Sequence, residues 1–162
     1  MILKFESEFN EPYVELKDFQ EIKLRKQIKY VYENSPFYRE KFRQAGISPE
    51  DIQTIGDLEK VPFTTKDEIR ESQRIQPPLG LHAAASLEDV IRVHSSSGTT
   101  GKPTYVGITR HDWDVWTEIL ARVLKTHGIG RDSRIVFAMG LTFFVGSSMK
   151  DGIERLGATF IP

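Results

Sequence analysis

The chain has 162 residues, the size of about one domain, and its 22 Lys+Arg nearly balance its 23 Asp+Glu, for a net charge of -1. That balance argues against a nucleic-acid partner, which would need a basic excess or stripe to meet phosphates. The absence of cysteine excludes disulfides, thiolate metal sites and Cys nucleophiles within the chain, and no apolar run approaches the ~20 residues of a membrane span.

The start, Met1-Ile2-Leu3-Lys4-Phe5-Glu6, has neither a basic leader nor an apolar core, so a cytoplasmic protein is the expectation. Residues Asp18 to Glu33 carry Leu24, Ile28, Val31 and Tyr32 at helical spacing and predict an amphipathic helix. Asn34-Ser35-Pro36 ends it and starts another: Ser35 can cap, and Pro36 suits a first helical position, where its missing N–H would be unpaired anyway. Phe37, Tyr38 and Phe42 give this second helix an aromatic face, and Gly46 can close it in the left-handed conformation. The same start signal recurs at Ser48-Pro49-Glu50-Asp51. Thr65 and Glu68 have capping-box spacing, and Gln76 to Ala85 reads as a loop.

The texture changes after Leu87. Asp89 to Val93 alternates and predicts a strand, with Thr104 to Ile108 as its hairpin partner. Thr109 and Asp112 form a capping-box variant ahead of Trp113, Trp116, Leu120, Val123 and Leu124, which share one helical face, and Gly128 stops that helix. Arg134 to Ala138 predicts a third strand, Gly146 to Leu156 a helix and Ala158 to Ile161 a short strand. Strand, helix, strand in that order implies a right-handed parallel crossover. The fold class is therefore α/β, with a helical segment over residues 1–86 and an α/β domain over residues 87–162.

One segment carries chemistry: Ser95-Ser96-Ser97-Gly98-Thr99-Thr100-Gly101-Lys102-Pro103-Thr104, between the two hairpin strands. Its hydroxyls are donors, Gly98 and Gly101 let the backbone approach a ligand, and Lys102 adds a cation. Donors, permissive backbone and a cation are what a polyphosphate requires. A plain solvated hairpin tip has a comparable composition, but tight flanking by strands favours a built loop over a linker. A Walker A loop is excluded by Ser96 at its first glycine position and by Pro103, which would block the helix that must follow the lysine. His94 beside the loop reads as a strand histidine able to position it. His82, His111 and His127 are dispersed and lack ligand spacing. Trp113 and Trp116 read as core.

Ser96-Ser97-Gly98-Thr99-Thr100-Gly101-Lys102-Pro103 resembles the phosphate-binding signature of adenylate-forming enzymes, the acyl- and aryl-CoA ligases. Tyr32 to Tyr38, Pro62-Phe63-Thr64-Thr65-Lys66, Ile91 to His94 and Glu154 to Thr159 narrow the resemblance to the phenylacetate–CoA ligase branch, over about Tyr30 to Pro162. The resemblance implies ATP-dependent activation of an aromatic carboxylic acid as an acyl-adenylate with loss of pyrophosphate, then transfer to coenzyme A with loss of AMP. It implies that Ser96, Ser97, Gly98, Thr99, Thr100, Gly101 and Lys102 hold the nucleotide phosphates, and that Thr99 or Thr100 touches Mg²⁺. In Gly140 to Gly146 it implies an acid pocket, where Phe143 stacks on an aryl ring and Gly146 leaves room for it. Phe144, Val145, Ser147 and Ser148 depart from the glycine-richer family loop.

Family members run to several hundred residues. The chain is thus expected to be the N-terminal part of a ligase, without the magnesium-binding glutamate and the mobile C-terminal domain that carries the catalytic lysine, and inactive by itself. A non-catalytic nucleotide-binding module is the alternative. Open sheet edges left by such a division predict a homodimer or an exchanged segment.

Overall fold

A computed structural model describes residues 13–96, 103–140 and 146–162. The described residues form two compact units that meet in sequence at Gly107 and Ile108.

The first unit opens with helices α1 (Tyr13–Asn34) and α2 (Pro36–Gln44). Ser35 caps α2 as its sequence suggests: the Ser35 hydroxyl accepts from the Tyr38 N–H, and Pro36 takes the first helical position. Gly46 then turns the chain away at φ 67°, a conformation that costs a residue with a Cβ. Ile28, Phe42 and Ile52 form a buried cluster, with Leu24, Tyr32, Ile47 and Val61 packed around it. The Tyr32 and Phe42 rings lie 5.9 Å apart. Ser48-Pro49 starts only a single 3-10 turn, Pro49–Asp51, although its capping box is complete. A second 3-10 turn, Ile55–Lys60, is capped by Thr54 and Asp57. Helix α3 (Lys66–Ile75) begins at the Thr65–Glu68 capping box, and its Glu68 also reaches Lys41 Nζ of α2 at 2.7 Å.

Strands β1 (Val90–Ser95) and β2 (Tyr105–Thr109) are hydrogen-bonded neighbours. The change of sequence texture at Leu87 precedes the division into compact units by some twenty residues because this ribbon packs on the helical unit through contacts given below.

In the second unit, α4 (Arg110–Thr126) starts at the Thr109–Asp112 capping box, and Gly128 follows it at φ 79°. Helix α5 (Gly146–Arg155) lies in the chain between β3 (Arg134–Val136) and β4 (Thr159–Ile161), which pair in parallel with Ile135 opposite Phe160. The stripe of α4 that is buried is Trp113, Thr117, Glu118 and Ala121, while Val123 is half exposed. Helix α5 comes close to α4 at Gly152, where a Cβ would lie 3.0 Å from Leu120 Cβ. The Trp113 indole N–H donates to Asp151 at 2.8 Å, and Ile153 is fully buried. No helix of the described residues is long and apolar enough to cross a membrane.

Candidate functional site

The hydroxyl-rich loop springs from the ends of β1 and β2. Burial alternates along β1, so His94 points inward while Val93 and Ser95 are exposed. This is the strand periodicity of two. At the neck, Ser96 and Thr104 make three hydrogen bonds. The Ser96 N–H donates to the Thr104 carbonyl at 2.9 Å, the Thr104 N–H donates to Ser96 Oγ at 3.0 Å, and the Thr104 hydroxyl donates to Ser96 Oγ at 3.2 Å. The Ser96 side chain is therefore part of the closure. Of the remaining candidate phosphate ligands, Ser97, Gly98, Thr99, Thr100, Gly101 and Lys102 lie outside the described residues, as does Phe143. Gly146 is buried at the first position of α5.

The ribbon is fixed from behind by residues that the sequence did not single out. Gln73 of α3 donates from Nε2 to the Tyr105 carbonyl at 2.7 Å. His82 also hydrogen-bonds the Tyr105 backbone, and its Nδ1 lies 3.0 Å from Ser72 Oγ, which accepts from the His82 N–H at 3.1 Å. A neutral ring that donates to the Tyr105 backbone through its other nitrogen would accept the Ser72 hydroxyl proton at Nδ1. Burial pushes the His82 pKa below its ordinary value, and the Tyr105 contact partly opposes that shift. The arrangement requires glycine at position 80. Its φ is 86°, and a Cβ there would lie 2.7 Å from both His82 Nδ1 and Ser72 Oγ. Gly107 is a second close approach, where a Cβ would meet Leu79 Cδ1 at 2.6 Å. The ends of the two strands that flank the loop are thus pinned: hydrogen bonds join Ser96 to Thr104, and α3 and the segment after it hold β2.

A cavity of about 520 Å³ is lined by Asn34, Pro36 and the segment Gln76 to Leu79 with Gly80, Leu81 and Ala83 to Glu88. Of the residues expected to bind nucleotide or acid, the described ones, Ser96 and Gly146, are not among those that line it. Among the described residues no group of three or more His, Asp or Glu side chains is placed to hold a metal ion.

No family model matches the chain. Curated proteins do. A phenylacetate–coenzyme A ligase of Escherichia coli is 43% identical over 149 residues, which is 91% of this chain and 33% of the relative. The chain is similar to the phenylacetate–coenzyme A ligases over nearly its whole length. Their counterpart in Thermus thermophilus is 40% identical over 152 residues, again 33% of its own length, so the chain spans about a third of the curated relatives it matches. Among solved structures, a 2-hydroxyisobutyryl-CoA ligase in complex with 2-HIB-AMP and CoA superimposes with a TM-score of 0.85 at 34% identity, over 93% of this chain and 32% of that one. The open conformation of that ligase, with the same ligands, gives 0.86 at 31% identity, over 93% of this chain and 35% of that one. The mixed helix–strand architecture is that of acid–CoA ligase structures.

Proposed function

We propose that the chain is the N-terminal third of an AMP-forming aryl-acid–CoA ligase, of phenylacetate type. It contributes the phosphate loop and one wall of the acid pocket, and needs the rest of the ligase for turnover. The observation that carries this reading is a hydroxyl- and glycine-rich loop on a hydrogen-bonded β1–β2 neck, in a chain 43% identical to a phenylacetate–CoA ligase.

In the first half-reaction an oxygen of the acid carboxylate bonds to the α-phosphorus of ATP as the bond to pyrophosphate breaks. In the second, the coenzyme A sulfur bonds to the acyl carbon, AMP departs, and the thiol proton is released. Negative charge grows on the leaving pyrophosphate, so fixed N–H and O–H donors and a cation act most strongly there. Ser97, Gly98, Thr99, Thr100, Gly101 and Lys102 hold the β- and γ-phosphates, while Ser96 closes the neck and keeps a hydroxyl hydrogen for the ligand. The loop's neutral hydroxyl donors suit a Mg²⁺ that is held largely by phosphate oxygens and water, with Thr99 or Thr100 as the protein contact. That ion would neutralise charge on the phosphates. Phe143 stacks on the aryl ring of the acid, and Gly146 leaves it space. On this reading residues 1–86 form a helical segment and residues 87–162 an incomplete nucleotide-binding α/β domain, in which the loop tips a β-hairpin and β3, α5 and β4 form a βαβ unit.

Calorimetry of the chain with ATP and Mg²⁺ tests the loop: binding lost in a Thr99→Ala/Lys102→Ala variant is expected, and unchanged binding refutes it. A longer protein carrying this sequence should release pyrophosphate with ATP and phenylacetate. Failure to form an acyl-adenylate or a CoA thioester with any of a panel of aromatic and aliphatic acids refutes the ligase. The alternative reading, a nucleotide-binding module without catalysis, predicts ATP binding in the first experiment and no thioester in the second.

A further inference from the structure

Among the described residues β2 has one strand neighbour, β1. The Thr104 carbonyl accepts from the Ser96 N–H and so faces β1. Successive carbonyls of an extended chain point to opposite sides, so the Tyr105 carbonyl faces the edge away from β1. There it takes two donors, Gln73 Nε2 at 2.7 Å and the His82 ring. A carbonyl oxygen has two lone pairs, and these donors use both. Two residues further along β2, Gly107 admits Leu79, which is 4% exposed. The segment from α3 to His82 thus stands where a third strand would. The imidazole is itself held: Ser72, 3% exposed, bonds both its backbone N–H and its Nδ1, and the Phe37 ring of α2 meets it at right angles, 6.3 Å between centroids. A donor locked on several sides fixes what it touches, because its own rotamer cannot follow a shift.

We propose that His82 and Gln73 are positioning residues for the hydroxyl-rich loop: by holding the Tyr105 carbonyl they fix the peptide next to Thr104, keep the Ser96–Thr104 neck closed, and so set the affinity of the loop for the phosphates of a nucleotide. They act through the Tyr105 backbone and not on the phosphates. The proposal deepens the reading of this loop as a phosphate site and rests on it.

Four variants test it. Gln73→Met keeps the length of the side chain and loses the donor. His82→Phe keeps a ring against Phe37 and loses the donor. The third combines the two. His82→Gln puts a donor and an acceptor back on one side chain. Amide hydrogen exchange is read at Ser96 and Thr104, with Phe42 and Ile52 of the buried cluster as reference, and ATP with Mg²⁺ is titrated by calorimetry. Each donor-deleting single variant should speed exchange at the neck and weaken ATP binding by about fivefold, the factor of one hydrogen bond, and the double variant by roughly tenfold or more. His82→Gln should stay close to the parent, and the reference amides should not change. Unchanged neck exchange in the double variant, or faster exchange with unchanged ATP affinity, overturns the proposal. Equal losses in His82→Gln and His82→Phe, or faster exchange at Phe42 and Ile52 as well, overturn it in favour of packing alone. A parent chain that binds no ATP, with the neck responding as expected, refutes the phosphate-site reading and leaves the hold on the neck standing.

Discussion

Glu118 is a buried carboxylate that ties α4 to α5, and neutralising it tests what joins the two helices. Its side chain is 2% exposed. One carboxylate oxygen accepts from Arg122 Nε at 3.3 Å and the other from Arg155 Nε at 2.9 Å. Arg155 reaches on to the Thr117 hydroxyl at 3.2 Å, so the last turn of α5 is tied to two successive residues of α4. The variant Glu118→Gln keeps the shape and one acceptor oxygen, but turns an amide N–H₂ toward a guanidinium and removes the buried charge that Arg122 and Arg155 share. Removing one partner of a buried pair costs about 3–5 kcal/mol. The guanidiniums here retain some access to water, with Arg122 at 13% and Arg155 at 24% side-chain exposure, which places the loss near the low end, about 3 kcal/mol. With a urea dependence of ~1–3 kcal/mol per molar, the unfolding midpoint should fall by roughly 1–3 M. A double-mutant cycle with Arg155→Gln should give a coupling of about 1 kcal/mol or more. Unfolding of Glu118→Gln within about 0.5 kcal/mol of the parent, or single effects that simply add, would refute the reasoning.

Three further outcomes follow from the same geometry. Gly152→Ala sets a helix-propensity gain of about 1 kcal/mol against ~1–3 kcal/mol of overpacking on Leu120 Cβ, which belongs to the stiff base of its side chain, so a lower melting temperature is expected and a rise would contradict the close approach of the helices. Ser96→Ala removes the acceptor of two neck hydrogen bonds, each worth about 1 kcal/mol, and should weaken ATP binding by about tenfold in calorimetry; unchanged affinity would show that the neck does not order the loop. The Lys41 ammonium, and then the Thr65 N–H and hydroxyl, hold the Glu68 carboxyl at a pKa of about 2, below the usual carboxylate range. A depressed carboxylate pKa contributes stability that is full above the unfolded value and is lost as pH falls through the folded one. Chemical denaturation of Glu68→Gln should therefore depend less steeply on acid between pH 4.5 and 2 than that of the parent, and parallel curves would exclude the pair as an acid-sensitive tie.

What could be read from the sequence was whatever local chemistry decides by itself. The caps at Ser35, Thr65 and Thr109 and the left-handed glycines at 46 and 128 each satisfy or turn backbone within a few residues, so their residue types announce them. Ser48-Pro49 gave the same signal and produced only one turn. The cap fixes how a helix may begin, but length needs an apolar face, and Ile52 alone supplies the buried contact there. Helix α4 shows the opposite failure. Hydrophobic spacing pointed to Val123, while the buried stripe contains Thr117 and Glu118, because the partner across the interface is Arg155, 37 residues away, and a paired carboxylate can lie where an apolar residue was expected. The contacts that hold β2, beside the hydroxyl-rich segment, were hidden for the same reason. Gln73 and His82 matter through the Tyr105 backbone, and Gly80 matters because two side chains crowd its α-carbon. None of these is a motif at fixed spacing. The hydroxyl-rich segment is legible because its donors are consecutive; the groups that fix the strands flanking it are scattered, and only the fold brings them together.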